Sequence, residues 1–170
     1  MLPPVIVGLG NADDFLSDLS PAPLDVESPP PRLLVAAFRV VFAIRKSKDH
    51  GRAAAWELAQ ETVDAIGDTD AASAAIVLDA STVRNPCLRR RAKRLANALV
   101  NEISVMSSIT AGRDITVLGV VIHDPDDREV VSRRLREFAE HPVRTGDKIV
   151  LSAASLRSSS IRTLLSEMLL

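Results

Sequence analysis

A chain of 170 residues, 46% hydrophobic and 25% charged, has the make-up of one globular domain, which excludes a low-complexity or disordered polymer. Its formal net charge of −1 excludes capture of polyanions by bulk charge, so any electrostatic function has to come from local patterning. A single cysteine, Cys87, excludes an internal disulfide, a cysteine zinc finger and a CxxC redox pair.

The opening "MLPPVIVGLGNADDF" has no basic stretch ahead of its apolar run, so no signal peptide is expected. No segment reaches the roughly 18 to 20 apolar residues that span a bilayer, and the expectation is a cytoplasmic protein without membrane contact. Residues 5–9 read as a strand-like piece with Gly8 near its end and Gly10 directly after it. A dinucleotide fingerprint needs a third glycine and a helix that follows directly, whereas here prolines arrive. A Rossmann-type nucleotide binder therefore stands as a third reading, on fold analogy alone.

Residues 11–27 carry Asp13, Asp14, Asp18, Asp25 and Glu27 with no Lys or Arg. The stretch "SPAPLDVESPPPR", residues 20–32, holds five prolines and no periodicity, which predicts an extended arm. The division expected is 1–32 as strand-like segment and arm, and 33–170 as a single α/β domain. Such an arm is able to cover a sheet edge of its own chain or of a neighbour, the route by which a homo-oligomer would form.

From residue 33 the chain alternates strand and helix four times: "LLVAAFRVVFAIR" then "GRAAAWELAQETVDAIG", "AAIVLDA" then "PCLRRRAKRLANALVNEISVM", "ITVLGVVIHD" then "DDREVVSRRLREFAEH", "KIVLSAA" then "SLRSSSIRTLLSEMLL". Helical spacing predicts buried faces through Trp56, Ala59, Val63 and Ile66; Leu88, Leu95, Leu99, Ile103 and Met106; Val131, Leu135 and Phe138; and Ile161, Leu164, Leu165 and Met168. The strands are nearly continuous apolar runs, the signature of burial on both faces. The fold expected is α/β, a Rossmann-like or flavodoxin-like mostly parallel sheet with flanking helices and right-handed crossovers, preceded by the Pro-rich arm.

Function in such folds gathers outside the carboxyl ends of the strands. That rule selects "GLGNADD", "IRKSKDHGR", "LDASTVRNP", "IHDPDDR" and "SAASLRSSS". In the third loop Asn85 and Pro86 read as cap and first helical residue, and Arg89, Arg90, Arg91, Lys93 and Arg94 follow at once. Cations at the positive end of a helix dipole oppose local preference, and such conflicts are expected at functional sites. A bound anion would resolve the conflict, with Ser81, Thr82 and Arg84 adding contacts from the loop. The first functional reading is accordingly a non-catalytic interaction or assembly protein that takes an acidic protein, a phosphate or a nucleic-acid backbone on this basic helix start, with no resident cofactor.

In "VVIHDPDDREVV" an apolar strand runs into Asp124, Asp126 and Asp127. With Asp79 at a neighbouring strand end these carboxylates supply the ligand type that Mg2+ prefers, which defines the alternative reading, an Mg-dependent phosphoryl-transfer enzyme. Helix initiation accounts for the same residues: Asp124 as N-cap, Pro125 at the first position, and Asp126 and Asp127 against the dipole. "DPDDRE" after a buried strand resembles the Toprim motif of topoisomerases and primases. That likeness implies a metal held by Asp124 and Asp126, while the family's glutamate at an earlier strand end has no counterpart in "FAIRKSKDHG". "IVLSAAS" is similar to the guanine-recognition strand of small GTPases, whose phosphate loop and NKxD motif the chain lacks. Ser155 is the expected N-cap of the last helix. The acidic and basic loops are expected to share one sheet edge and to neutralise each other, with Asp126 near Arg90.

Overall fold

The structure is a computed structural model and describes residues 6–19, 33–44, 52–112, 114–142 and 146–168. The expected arm at 20–32 and the loop "IRKSKDHGR" beyond residue 44 lie outside the described residues. In chain order the elements are β1 (Ile6–Gly10), α1 (Asp13–Leu19), β2 (Leu33–Arg39), α2 (40–44), α3 (Arg52–Thr69), β3 (Ser73–Asp79), α4 (Pro86–Ala111), β4 (Thr116–Ile122), α5 (Asp127–Glu140), β5 (Lys148–Ser152), α6 (Ala153–Ser158) and α7 (Ile161–Met168).

The five strands form one all-parallel sheet in the order β1-β2-β3-β4-β5, so the α/β architecture with flanking helices holds. Every residue of β3 and β4 is buried, and six of the seven in β2, whereas β1 and β5 at the edges are partly exposed. Two-residue alternation sends side chains to opposite faces. Leu34, Ala36, Ile76, Leu78, Val117 and Val121 meet α3 and α4 on one face, here face A. Leu33, Val35, Val77, Leu118, Val120 and Leu151 meet α1, α5, α6 and α7 on the other, face B. Full burial of Leu99 and Ile103 of α4 alone stabilises that helix on the sheet by roughly 1.5–3 kcal/mol each. The main strand–helix rhythm of the sequence is therefore that of a three-layer sandwich.

β1 and α1 belong to this sheet and core, because β1 pairs with β2 along all five residues and Phe15 and Leu19 are buried. The helix judged absent after "GLGN" is α1. Gly10 explains how it starts: at φ +116° the chain turns sharply, and the N–H groups of Asn11 and Ala12 both donate to the Ala37 carbonyl at 3.0 and 3.1 Å.

Three local expectations change. "LLVAAFRVVFAIR" is strand only to Arg39, since the register ends there against Asp79 and β1 has already ended opposite Ala37; the next residues have no partner strand and turn helical. Trp56 is half exposed instead of core. The final helix is two helices broken at Ser159, which is extended (φ −134°, ψ 151°); Ser152 caps α6 through the Ser155 N–H, and Ser160 caps α7 through the Thr163 N–H. Ser155, the expected cap, lies inside α6.

The strand order also decides handedness. β3, β4 and β5 step in one direction, yet the β3–α4–β4 crossover lies on face A and the β4–α5–β5 crossover on face B. Two such crossovers have opposite hands, so one of them departs from the right-handed rule, which for this order would have put every helix on one face. Adjacent strands whose following loops leave toward opposite faces create a crevice just outside their carboxyl ends. β3 and β4 are such a pair: they stay in register through Asp79 and Ile122, the Ala80 N–H donates to the Ile122 carbonyl at 2.8 Å, and only the loops beyond diverge.

Candidate anion-binding groove at the carboxyl edge

The loop that leaves β3 is closed by Asp79, a buried strand-end carboxylate. Its Oδ1 accepts the Ser81 N–H at 2.9 Å and the Ser81 hydroxyl at 2.6 Å, and the Val83 N–H donates to the Ala80 carbonyl at 2.9 Å. Asn85 then caps α4 as expected, its side chain accepting the Cys87 N–H at 2.9 Å with Pro86 as first helical residue.

Two arginines bridge the diverging loops beyond β3 and β4 from opposite faces. Arg128, from α5 on face B, places Nε 3.1 Å and Nη2 2.8 Å from Asp79 Oδ2 and Nη2 2.9 Å from Ser81 Oγ. Arg89, from α4 on face A, donates through Nε to the Val83 carbonyl at 2.8 Å and through Nη2 to the His123 carbonyl at 3.3 Å. The crevice is thus laced across by two guanidinium groups, each tying the loop of β3 to the neighbourhood of β4.

On face A the carboxyl ends of β4 and β5 stay open, because both following helices leave toward face B. A groove of about 660 Å³ results, lined by Arg89, Arg90, Lys93, Arg94, Asn97 and His123. It continues past Lys93 and His123 into a notch of about 70 Å³ whose apolar floor is Val121 and Val150. Arg90, Lys93 and Arg94 have no carboxylate within salt-bridge distance among the described residues. His123 has its pKa lowered, first by burial, then by the Arg89 charge, with Asp127 opposing. Anion recognition against an apolar floor is the chemistry this arrangement suits.

Among the residues singled out in the sequence, Arg89, Arg90, Lys93 and Arg94 come together here. Ser81 is held by Asp79 and Arg128, Thr82 and Arg84 are exposed on the loop, and Arg91 is outside the lining. Asn97 and His123 were missed. A spacing signal was present for Asn97, since 89, 93 and 97 recur every four residues along one helix face. The dipole conflict is also milder than the sequence implied: Pro86, Cys87 and Leu88 fill the first turn without charge, and the cations begin in the second, where the dipole has weakened.

The acids do not turn toward these cations. Asp127 is buried, not the free ligand of the metal reading, and its Oδ1 accepts from Arg157 Nε at 2.6 Å; Asp124 lies 3.9 Å from Arg157 Nη2. Hydrogen bonding and charge from Asp127 raise the Arg157 pKa. Asp124 Oδ1 accepts the Asp126 N–H at 3.1 Å in a cap-like bond, with i to i+3 backbone bonds ahead of the regular helix, which begins at Asp127 instead of Pro125. The expected neutralisation of Arg90 by Asp126 does not occur among the described residues: the ion pair that joins the two loops runs the other way, from Arg128 to Asp79, while Arg157 reaches Asp124 and Asp127 from α6. No three His, Cys, Asp or Glu side chains converge in metal-holding geometry among the described residues. At the α1 N-terminus, Asp13 and Asp14 occupy the first turn, where the nucleotide reading would seat a phosphate. No described helix is long and apolar enough to cross a membrane.

Comparison with known proteins adds no relative: no family model matches the chain, and neither a curated protein nor a solved structure matches it.

Proposed function

We propose that this protein is a binding module that takes an anionic partner, through phosphate or carboxylate groups, in the groove between α4 and the carboxyl ends of β4 and β5. One observation carries the reading: Arg90, Lys93 and Arg94 line a groove without an opposing carboxylate among the described residues, while Asp79, Asp124 and Asp127 beside it already hold other arginines. Uncompensated cations of one sign in a concave site raise the local concentration of anions. The strand-end position supports the same reading, because the parted crossovers leave face A open there.

The test is fluorescence anisotropy with a labelled single-stranded oligonucleotide and a labelled glutamate-rich peptide, each titrated at several salt concentrations. Neutralisation of three or four charges gives a slope of about −2 to −4 in log affinity against log salt. Lys93→Glu with Arg94→Glu should weaken binding at least tenfold and flatten that slope, and preference between the probes identifies the partner class. Salt-independent affinity, or full binding by the double variant, rules the groove out.

A further inference from the structure

A second site lies at the opposite end of the sheet, between the C-terminal halves of α3 and α4. Val63, Asp64, Ile66, Gly67 and Asp68 of α3 face Ser107 and Thr110 of α4 across a groove of about 520 Å³, within the size range of small-molecule sites. Three departures from ordinary helix and core chemistry meet there. Asp64 and Asp68 stand four residues apart on α3, where like charges repel; Asp64 accepts only the neutral Gln60 amide, at 2.7 Å, and neither has an ion-pair partner among the described residues. Gly67 sits inside the helix, destabilising it relative to alanine, and a Cβ built there would meet nothing within 4 Å. Ser107 is fully buried, yet its hydroxyl has no hydrogen-bond partner among the described residues.

We propose that this groove binds a primary alkylammonium group, either from a free diamine or polyamine or from a lysine side chain of a partner. An ammonium carries three donors and no acceptor. Asp64, Asp68 and the Ser107 hydroxyl oxygen provide acceptors for it, and the charge relieves the carboxylate repulsion. The methylene stem lies on Val63 and Ile66, in the room that Gly67 leaves open. The inference is independent of the basic groove, since it shares no residue with it.

Calorimetric and 15N-HSQC titrations of the full chain with 1,5-diaminopentane, spermidine and a lysine-rich peptide test the proposal. Saturable binding is expected, with shifts centred on residues 63–68 and 107–110. Asp64→Asn with Asp68→Asn should lower affinity at least tenfold. Ser107→Ala should lower it several-fold while Tm stays level or rises, a split that a purely structural hydroxyl would not produce. Gly67→Ala, whose added methyl enters open space, should raise Tm and weaken binding together. Tighter binding of the peptide than of the diamines assigns the ammonium to a partner's lysine, and the reverse assigns it to a free amine. Absence of saturable binding by every probe, undiminished affinity in the double asparagine variant, or equal binding of tetramethylammonium, which has no N–H to donate, overturns it.

Discussion

Arg128 reaches from α5 on one face of the sheet to grip Asp79 at the end of β3, Nη2 to Oδ2 at 2.8 Å, across 49 residues of sequence. Asp79 is 6% exposed and the arginine 23%, so the pair is largely withdrawn from water. It joins the two crossovers that leave the sheet in opposite directions.

Removing the arginine strands a buried carboxylate. Because Ser81 still donates twice to Oδ1 and the arginine is partly exposed, the loss in Arg128→Met should fall at or just below the lower bound for broken buried pairs, about 2–3 kcal/mol by urea denaturation. Combining it with Asp79→Leu should recover a large part of that loss, since no unpaired charge remains. A loss under about 0.5 kcal/mol, typical of exposed pairs, would show that the bridge does not form in solution.

Two glycines make a paired prediction. A Cβ at Gly10 would stand 2.0 Å from the Ala37 carbonyl oxygen, which is backbone and cannot yield, and φ there is +116°. A Cβ at Gly119 would stand 2.9 Å from a methyl of Val100 and one of Val150, side-chain contacts that a small shift of the packed elements relieves. Gly119→Ala should therefore destabilise by about 1–3 kcal/mol as ordinary overpacking. Gly10→Ala should exceed it, by thermal or urea denaturation, with β1 and α1 losing amide-exchange protection first.

His123 sets an acid limb. Its pKa in the fold lies below the ordinary value of 6.5, through burial and the Arg89 charge. Between the folded and unfolded values the unfolded chain binds more protons, so stability rises with pH through that window. The contribution is complete above about 6.5 and is lost as the pH falls through the lowered folded value. Measured stability from pH 7.5 down to 5 should decline less steeply in His123→Asn than in the parent, and identical slopes would exclude His123 as the source.

Much of the architecture was legible because burial leaves a periodic trace. β3 and β4 are uninterrupted apolar runs, and their burial on both faces is what a parallel sheet under helices requires. The start of α4 was equally legible, since Asn85 and Pro86 act on backbone groups within two residues of themselves. The end of β2 was not: "RVVFAI" has strand propensity throughout, and the strand stops where its neighbours stop.

The site divides in the same way. Sequence by itself determined that strand-end loops carry the polar chemistry and that cations crowd the start of α4. Only the tertiary structure decided which charges remain available. Asp124, Asp127 and Asp79 look free in the chain and are held in space by Arg157 and Arg128, while Arg90, Lys93 and Arg94 keep theirs open to the groove. Pairing of charges depends on the face to which each crossover turns, a choice made by the packing of whole helices and written in no single motif.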